Sequence, residues 1–196
     1  MVEVVIAAAI TAVVFFAVAM ASAAGVAAWR KAEELTTLAR EGAEVVRRVE
    51  SDLAGAMASA TFPFRGGPTE MSWTTTDGEG PVTVSWTLGA ASPGETPAGV
   101  TRTWARVLPP GAAPVSGARR YGWVSTVAFT YPMGAPSGQA GAPVWSDRWA
   151  ADQAARVPQA VRVHVTVTGP HGNSLPLEQT IVLPQGHLGV PASSPS

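Results

Sequence analysis

The stretch from Val4 to Ala28 decides the fold of this chain, and it reads VVIAAAITAVVFFAVAMASAAGVAA. It carries no charged residue, and its only polar side chains are Thr11 and Ser22. A helix rises about 1.5 Å per residue, so this run forms a helix of about 37 Å, enough to cross a hydrocarbon core of about 30 Å. We therefore predict a membrane-spanning helix, with Trp29 at the membrane interface.

A secretory signal peptide is the alternative for this run. Signal peptides have a basic start, a shorter apolar region and a small-residue cleavage site. Here no Lys or Arg precedes the run, which continues directly into a helical pattern after Trp29. These features favour a retained helix over an uncleaved signal sequence without a further role.

An acidic residue, Glu3, stands at the start of the apolar run. A charge at the bilayer centre costs about 3 kcal/mol on insertion scales, and a charge at the edge costs less. Two interpretations follow. Glu3 is either a hydrated interfacial carboxylate, or a carboxylate that pairs with a cation when helices pack side by side, for example with the amino terminus of a neighbouring chain.

The helical pattern continues to about residue 60 and carries one apolar stripe. The stripe has spacings of three and four residues and consists of Leu35, Leu38, Gly42, Val45, Val49, Leu53 and Ala56. The remaining faces carry acidic and basic residues at helical-neighbour spacings, such as Arg48 with Asp52, which we interpret as a solvated face. This half of the helix needs a sheet to cover its stripe.

The rest of the chain is rich in turn residues and β-forming segments; Gly and Pro number 20 and 17 in the whole chain. The predicted strands are Met71–Thr76, Val82–Leu88, Thr101–Leu108, Gly122–Tyr131, Val161–Thr168 and Leu175–Leu183. The strand from Val161 alternates strictly between valine and polar residues, and the turn GPHGN links it to the last strand.

These segments predict an α+β fold, in which one long N-terminal helix packs on an antiparallel β-sheet. The expected parts are a transmembrane and assembly helix (1–29), the extracytoplasmic half of the same helix (30–60), an antiparallel β domain (61–184) and a disordered tail (185–196). Small and turn residues predict mobility in the loop Gly89–Gly99 and in the tail after Gln185; a second long loop spans Pro132–Val144.

Composition and motifs argue against several functions. The net charge of −1 gives no electrostatic case for nucleic acid, and the absence of cysteine excludes disulfides and thiolate chemistry. The histidines, His164, His171 and His187, show no metal-binding spacing. The carboxylate pairs Asp77/Glu79 and Asp147/Asp152 are too sparse to hold calcium alone. We predict no catalytic residue, cofactor or metal.

The aromatic and basic residues of the β part have structural interpretations. Trp73, Trp86, Trp104 and Trp123 lie in predicted strands, where we expect core packing. Trp145 and Trp149 lie in PVWSDRW, which either packs under a sheet edge or anchors a partner. Arg119 and Arg120 are expected in a solvated turn.

The layout resembles the type IV pilin-like superfamily. That superfamily has an acidic residue near the start of an apolar run, a helix with membrane and extracytoplasmic halves, and then an antiparallel sheet. Its amino-terminal stretch has Gly before a cleavage point, then Phe-Thr-Leu-x-Glu. MVEVVIAAAI matches from Met1 onward, with Glu3 at the position of the family's glutamate. Two explanations follow for the missing leader, Gly and first mature residues: the start codon has been assigned too late, which we favour, or the chain has lost processing.

Downstream, the chain is most similar to the J-class minor pseudopilin of the type II secretion system. The segments that carry this similarity are VESDLAGA, FRGGPTEMSW, VTRTWARVL, YGWVSTVAFTYP, PVWSDRW, VPQAVRVHVTV and LPLEQTIVLP. They cover most of the chain after the membrane run. A minor pilin of a type IV pilus has a similar layout.

The resemblance implies a structural protein without enzymatic activity at the tip of the pseudopilus, where it promotes filament assembly and protein export. The implied partners are the I- and K-class minor pseudopilins, the major pseudopilin and the bacterial inner membrane. The implied location is single-pass in that membrane with the C-terminal domain in the periplasm. Arg30 and Lys31 after the run would by themselves place that domain in the cytoplasm, and a basic leader would reverse this balance. A membrane-anchored extracytoplasmic binding module is the competing function.

Overall fold

The computed structural model of the chain describes residues 2–89, 99–133 and 143–183. The interior of the loop Gly89–Gly99, most of the loop Pro132–Val144 and the tail after Gln185 lie outside the described residues, so the predicted mobility of the first and last of these stays a prediction. The described chain is α+β, with one helix, α1 (Val2–Ala54), followed by antiparallel strands. It falls into two compact units, Met1–Thr37 and Leu38–Ser196.

The first unit consists of the N-terminal part of α1, which includes the apolar run and the charged segment that follows it. The helix continues without a break through Trp29, as the absence of proline and the helical pattern predict. Three of its hydroxyls bond back into the helix: Thr11 Oγ1 donates to the carbonyl oxygen of Ala7 at 2.8 Å, Thr36 Oγ1 to that of Ala32 at 2.8 Å and Thr37 Oγ1 to that of Glu33 at 3.1 Å. The Thr11 bond satisfies the polar group of a side chain within the apolar run, which suits an apolar environment.

The second unit contains two antiparallel sheets. The strands are β1 (Arg65–Gly66), β2 (Glu70–Thr76), β3 (Pro81–Leu88), β4 (Val100–Arg106), β5 (Ser116–Tyr121), β6 (Val124–Met133), β7 (Val144–Ser146), β8 (Ala160–Thr168) and β9 (Ser174–Val182). The first sheet has the order β1-β2-β3-β4-β5 and the second the order β7-β6-β8-β9. A short 3₁₀ turn, Ala151–Gln153, lies between β7 and β8.

The six predicted strands are confirmed, but the expectation of one sheet is wrong for the described residues. β6 follows β5 after a short turn, yet it pairs with β8 in the other sheet. The two sheets share a core: the ring of Phe64 lies 6.2 Å from that of Trp73 in the first sheet and 6.1 Å from that of Tyr131 in the second. The apolar faces of the two sheets thereby cover each other. One helix alone would leave part of this apolar area exposed.

The C-terminal part of α1 packs into this core through the predicted stripe. Within the second unit the buried stripe residues of the helix are Leu38, Gly42, Val45, Val49 and Leu53, and Ala56 just after the helix is buried as well. Burying each of the larger side chains contributes about 1.5–3 kcal/mol. β8 supplies a facing surface, since Val161, Val163, Val165 and Val167 are all buried. The alternation prediction for this strand is therefore confirmed.

The helix ends at Ala54, whereas the pattern predicts an end near residue 60. The chain leaves the helix because the Met57 N–H donates to the carbonyl oxygen of Thr74 at 2.8 Å, which adds a β-bridge to β2. A backbone bond to the sheet here replaces the next helical turn.

Gly42 lies where α1 packs closely against the second sheet. A Cβ at this position would overlap the Leu177 side chain and touch Val167. We expect Gly42→Leu to lower the free energy of unfolding by about 3 kcal/mol, because overpacking costs 1–3 kcal/mol for a few methylene groups and Leu adds more. The matched change Gly25→Leu meets nothing within 4 Å and gains helix propensity. Urea unfolding of the full chain in detergent micelles would measure both; equal effects would contradict the close packing at Gly42.

Candidate functional site

The surface of α1 in the first unit is the first candidate site. Among residues 2–89, 99–133 and 143–183, α1 is the one helix long and apolar enough to span a membrane. Its large apolar side chains are more than half exposed: Val2, Val5, Ile6, Ile10, Val13, Val14, Phe15, Phe16, Val18, Met20 and Val26. Alanines lie between them along the helix. This surface is suited to lipid, or to other helices that approach closely across the small residues.

Glu3 lies in the first turn of this helix with an exposed side chain. A carboxylate in the first turn interacts favourably with the partial positive charge of the helix N-terminus. Within the part of the chain that the structure describes, Glu3 makes no ion pair or side-chain hydrogen bond. The assembly role of Glu3 stays a prediction, since its partner in that role belongs to another molecule.

Trp29, at the C-terminal end of the apolar run, is 75% exposed. An indole is stable at the membrane–water boundary because its ring is apolar and its N–H is a donor. Arg30 and Lys31 follow directly and are also exposed. This order of apolar run, indole and cations is typical of the end of a membrane-spanning segment.

The second candidate site is a buried polar cluster where α1 meets the first sheet. Asp52 is 8% exposed. Arg102 of β4 donates to both of its oxygens, from Nε to Oδ2 at 2.6 Å and from Nη2 to Oδ1 at 2.9 Å. The indole N–H of Trp86 donates to Oδ2 at 3.1 Å. The indole N–H of Trp73 donates to the main-chain oxygen of Asp52 at 3.0 Å.

This cluster corrects the interpretation of the Arg48–Asp52 pair as part of a solvated face. Arg48 Nε lies 3.4 Å from Asp52 Oδ1, so the pair exists, but the carboxylate side chain is only 7% exposed. The sequence held a signal for this burial, because Asp52 follows Val45 and Val49 at the spacing of the apolar stripe. A carboxylate on that stripe needs hydrogen-bonding partners in the core.

The predicted core tryptophans divide into two groups. Trp73 and Trp86 are buried, as expected. Trp104 is half-buried because it lies across Gly117 of β5, where a Cβ would come within 2.6 Å of its indole nitrogen. Trp123 is 43% exposed because it lies in the turn between β5 and β6. The core interpretation is wrong for these last two.

The remaining arginines and tryptophans considered above lie in the strands or beside them. Arg119 and Arg120 lie in β5 and not in a turn; Arg119 reaches α1, with Nη2 2.5 Å from Glu44 Oε1. Trp149 packs on Phe64 and Tyr131, which confirms packing for this residue, and the Arg162 guanidinium lies 4.0 Å from the Trp145 ring centre.

The histidines differ in their surroundings. His164 lies on the face of β8 opposite the valines, as predicted, with Nδ1 3.3 Å from Glu178 Oε2. His171 lies in the turn before β9, and His187 lies outside the described residues.

Arg106 forms ion pairs with Asp77 and Glu79, the carboxylate pair considered above as calcium ligands. Its Nη2 lies 2.6 Å from Asp77 Oδ2, and its Nη1 contacts Glu79 Oε2. The Glu79 backbone N–H also donates to Asp77 Oδ1 at 3.0 Å. This N–H and, next, the Arg106 guanidinium lower the pKa of Asp77. Among the described residues, no group of three or more His, Asp or Glu is placed to hold a metal ion.

We expect NMR titration to place the Asp77 pKa below that of the same residue in a peptide of sequence TTDGEGP. A carboxyl with a lowered folded-state pKa stabilises the fold above its unfolded pKa, and this contribution is lost as the pH falls through the folded pKa. The loss therefore occurs below about pH 4. Arg106→Gln should move the Asp77 pKa toward the peptide value; a pKa unchanged by this substitution would show that Arg106 does not act on Asp77.

No protein-family model and no curated protein matches this sequence.

Proposed function

We propose that this chain is a minor pseudopilin of the J class, a structural component of the type II secretion pseudopilus tip that promotes filament assembly and protein export. The observation that carries the proposal is α1 itself. One helix bears an unburied apolar surface along its first part and a buried apolar stripe along its C-terminal part. Such a helix serves as an anchor in the membrane and as the packing element of a filament.

The exposed apolar surface supports assembly because it is suited to two environments. In the bilayer, lipid surrounds it; in a filament, similar helices do. Helix association in an apolar medium depends on close packing, and the alanines of the run permit it. Glu3 adds a charge that is costly in an apolar bundle unless a cation or a donor from a neighbouring subunit meets it.

The Asp52 cluster gives further support, because it joins two of the segments that carry the resemblance. Asp52 belongs to VESDLAGA and Arg102 to VTRTWARVL, and the two side chains form the bidentate pair described above. The acidic end of the helix and the arginine-bearing strand thus depend on each other. Such a pair fixes the position of the C-terminal end of α1 on the first sheet.

In this proposal the chain lies in the bacterial inner membrane by a single span, with the β domain in the periplasm. Its partners are the I- and K-class minor pseudopilins and the major pseudopilin. A minor pilin of a type IV pilus is the closest alternative, and a membrane-anchored extracytoplasmic binding module is the second. A simple membrane anchor does not need the Glu3 carboxylate, whereas in a packed bundle this carboxylate can pair with a neighbouring subunit.

The test is to delete the gene from its host and restore it on a plasmid. Loss of extracellular secreted proteins, with retention of these proteins in the periplasm, is the expected result. Loss of surface pili with normal secretion would assign the chain to a type IV pilus. Normal secretion and normal pili would favour the binding module.

A further inference from the structure

A cavity of about 430 Å³ opens on the first sheet, on the face opposite the buried Trp73 and Trp86. Ser72 and Ser85 form its floor, since each alternates along its strand with residues buried in the core. Its rim carries Arg65, Arg148 and Glu70. A volume of this size is within the range of ligand sites.

Strand register places a cation beside the two hydroxyls. Arg65 of β1 pairs with Ser72 of β2, which pairs with Ser85 of β3. Neighbouring strands lie about 4.8 Å apart, so the three residues form one row across the sheet. The row presents one guanidinium and two hydroxyl groups to the cavity.

The second cation comes from a distant part of the chain. The Trp149 backbone N–H donates to the Gly66 carbonyl oxygen at 3.0 Å, which attaches the segment after β7 to β1. The Trp149 indole N–H donates to the Gln153 carbonyl oxygen at 3.0 Å, and its ring packs on Tyr131 with centres 6.2 Å apart. These contacts hold Arg148, the preceding residue, at the rim.

The two arginines differ from four arginines of the strands in lacking an acidic partner. Arg102, Arg106, Arg119 and Arg162 each lie within 4 Å of a carboxylate. Over the described ranges, the side chains of Arg65, Arg148 and Glu70 make no ion pair and no hydrogen bond; the Arg148 backbone N–H donates to Ser146 Oγ at 3.2 Å. The cavity therefore presents unpaired groups of both signs with a net charge of +1 from these three residues.

We propose that this cavity binds an acidic residue of an extended peptide, with the carboxylate on Arg65 and Arg148. Guanidinium–carboxylate hydrogen bonds are charge-assisted and stronger than neutral ones. The serine hydroxyls and the Glu70 carboxylate bind the polar backbone of the peptide, since a carboxylate accepts N–H donors. Glu70 lies about 7 Å along β2 from Ser72, where it repels a free dianion. The site does not depend on the proposed secretion role.

The test uses the full chain in detergent micelles, with the Trp149 indole N–H signal as the NMR reporter. The probes are an N-acetyl-Ala-Glu-Ala amide, its Gln counterpart and inorganic phosphate. We expect saturable shifts with the Glu peptide, binding at least about tenfold weaker with the Gln peptide, and weakening with salt. Arg65→Gln and Arg148→Gln should each weaken Glu-peptide binding about tenfold or more, while Arg47→Gln, an exposed helix arginine, should not.

Both arginine substitutions are at exposed positions, so an unchanged Trp149 signal without peptide establishes that each variant is folded. Equal affinity for the Glu and Gln peptides would overturn the proposal, as would unchanged Glu-peptide affinity in both arginine variants. Phosphate binding as tight as the Glu peptide would reduce the cavity to a general anion site. Glu70→Gln should tighten phosphate binding without tightening Glu-peptide binding; equal tightening of both would likewise reduce the cavity to a general anion site.

Discussion

Asp52→Asn is expected to lower the free energy of unfolding of the second unit by about 3 kcal/mol. Removing one partner of a buried ion pair leaves an uncompensated charge, which costs about 3–5 kcal/mol in proteins. Asn has the shape of Asp52 but no charge. The expected loss of stability therefore comes from weakening the two Arg102 bonds and the Trp86 bond. Arg102 is only 12% exposed, so water replaces the lost acceptor poorly. Urea unfolding of the full chain in micelles, followed by near-ultraviolet circular dichroism, measures the effect.

A double-substitution cycle separates the ion pair from simple loss of packing. Asp52→Leu alone and Arg102→Met alone should each cost a similar amount, and the two combined should cost less than the sum of these single changes. Asp147→Asn is the matched control, because Asp147 is exposed and its change is expected to stay within about 0.5 kcal/mol. An Asp52→Asn effect as small as the control would mean that the cluster does not stabilise the fold.

Glu3→Gln and Glu3→Leu are expected to leave membrane insertion and the fold of the second unit intact, because neither depends on this charge. Recruitment into the assembly should fall about tenfold or more, since a lost interaction of 1.4 kcal/mol already changes an equilibrium tenfold. Leu should improve insertion slightly while assembly falls, which separates the two roles of the residue. Pairing in a staggered filament occurs only in the correct axial register, so Glu3 would set register as well as attraction.

The measurement for Glu3 is crosslinking to the I- and K-class pseudopilins, together with secretion, for each variant expressed with a leader. Glu33→Gln is a matched control: it removes an exposed acid from the same helix beyond the apolar run. Crosslinking and secretion of the Glu33→Gln variant should equal those of the wild-type chain. Unchanged crosslinking and secretion in both Glu3 variants would leave Glu3 as a hydrated edge residue and favour a simple membrane anchor.

Local periodicity predicted the elements of this fold well. The apolar stripe gave α1 and its buried face, and the valine alternation gave β8, because both patterns depend on neighbours a few residues apart. β5 was missed because its arginines lie at exposed positions of an edge strand, where no apolar alternation is needed. The division into two sheets was missed because strand pairing depends on contacts between distant segments.

The candidate sites were predictable to different degrees. Glu3 stands out in the sequence because it is an acid beside an apolar run. The importance of Asp52 lies in its pairing with Arg102, fifty positions away along the chain, which no local pattern encodes. Arg65 and Arg148 are further apart still, and their surroundings are brought together by contacts between distant segments, such as the bond between Trp149 and Gly66 and the packing of Trp149 on Phe64.

Photocrosslinking from the membrane helix tests the assembly role most directly. A photoreactive phenylalanine analogue at Phe16, which is 69% exposed, would be expressed in the secreting host with the other components present. We expect covalent adducts with pseudopilin partners through this surface, and fewer of them after Glu3→Leu. Adducts with lipid alone, at wild-type secretion, would contradict this expectation.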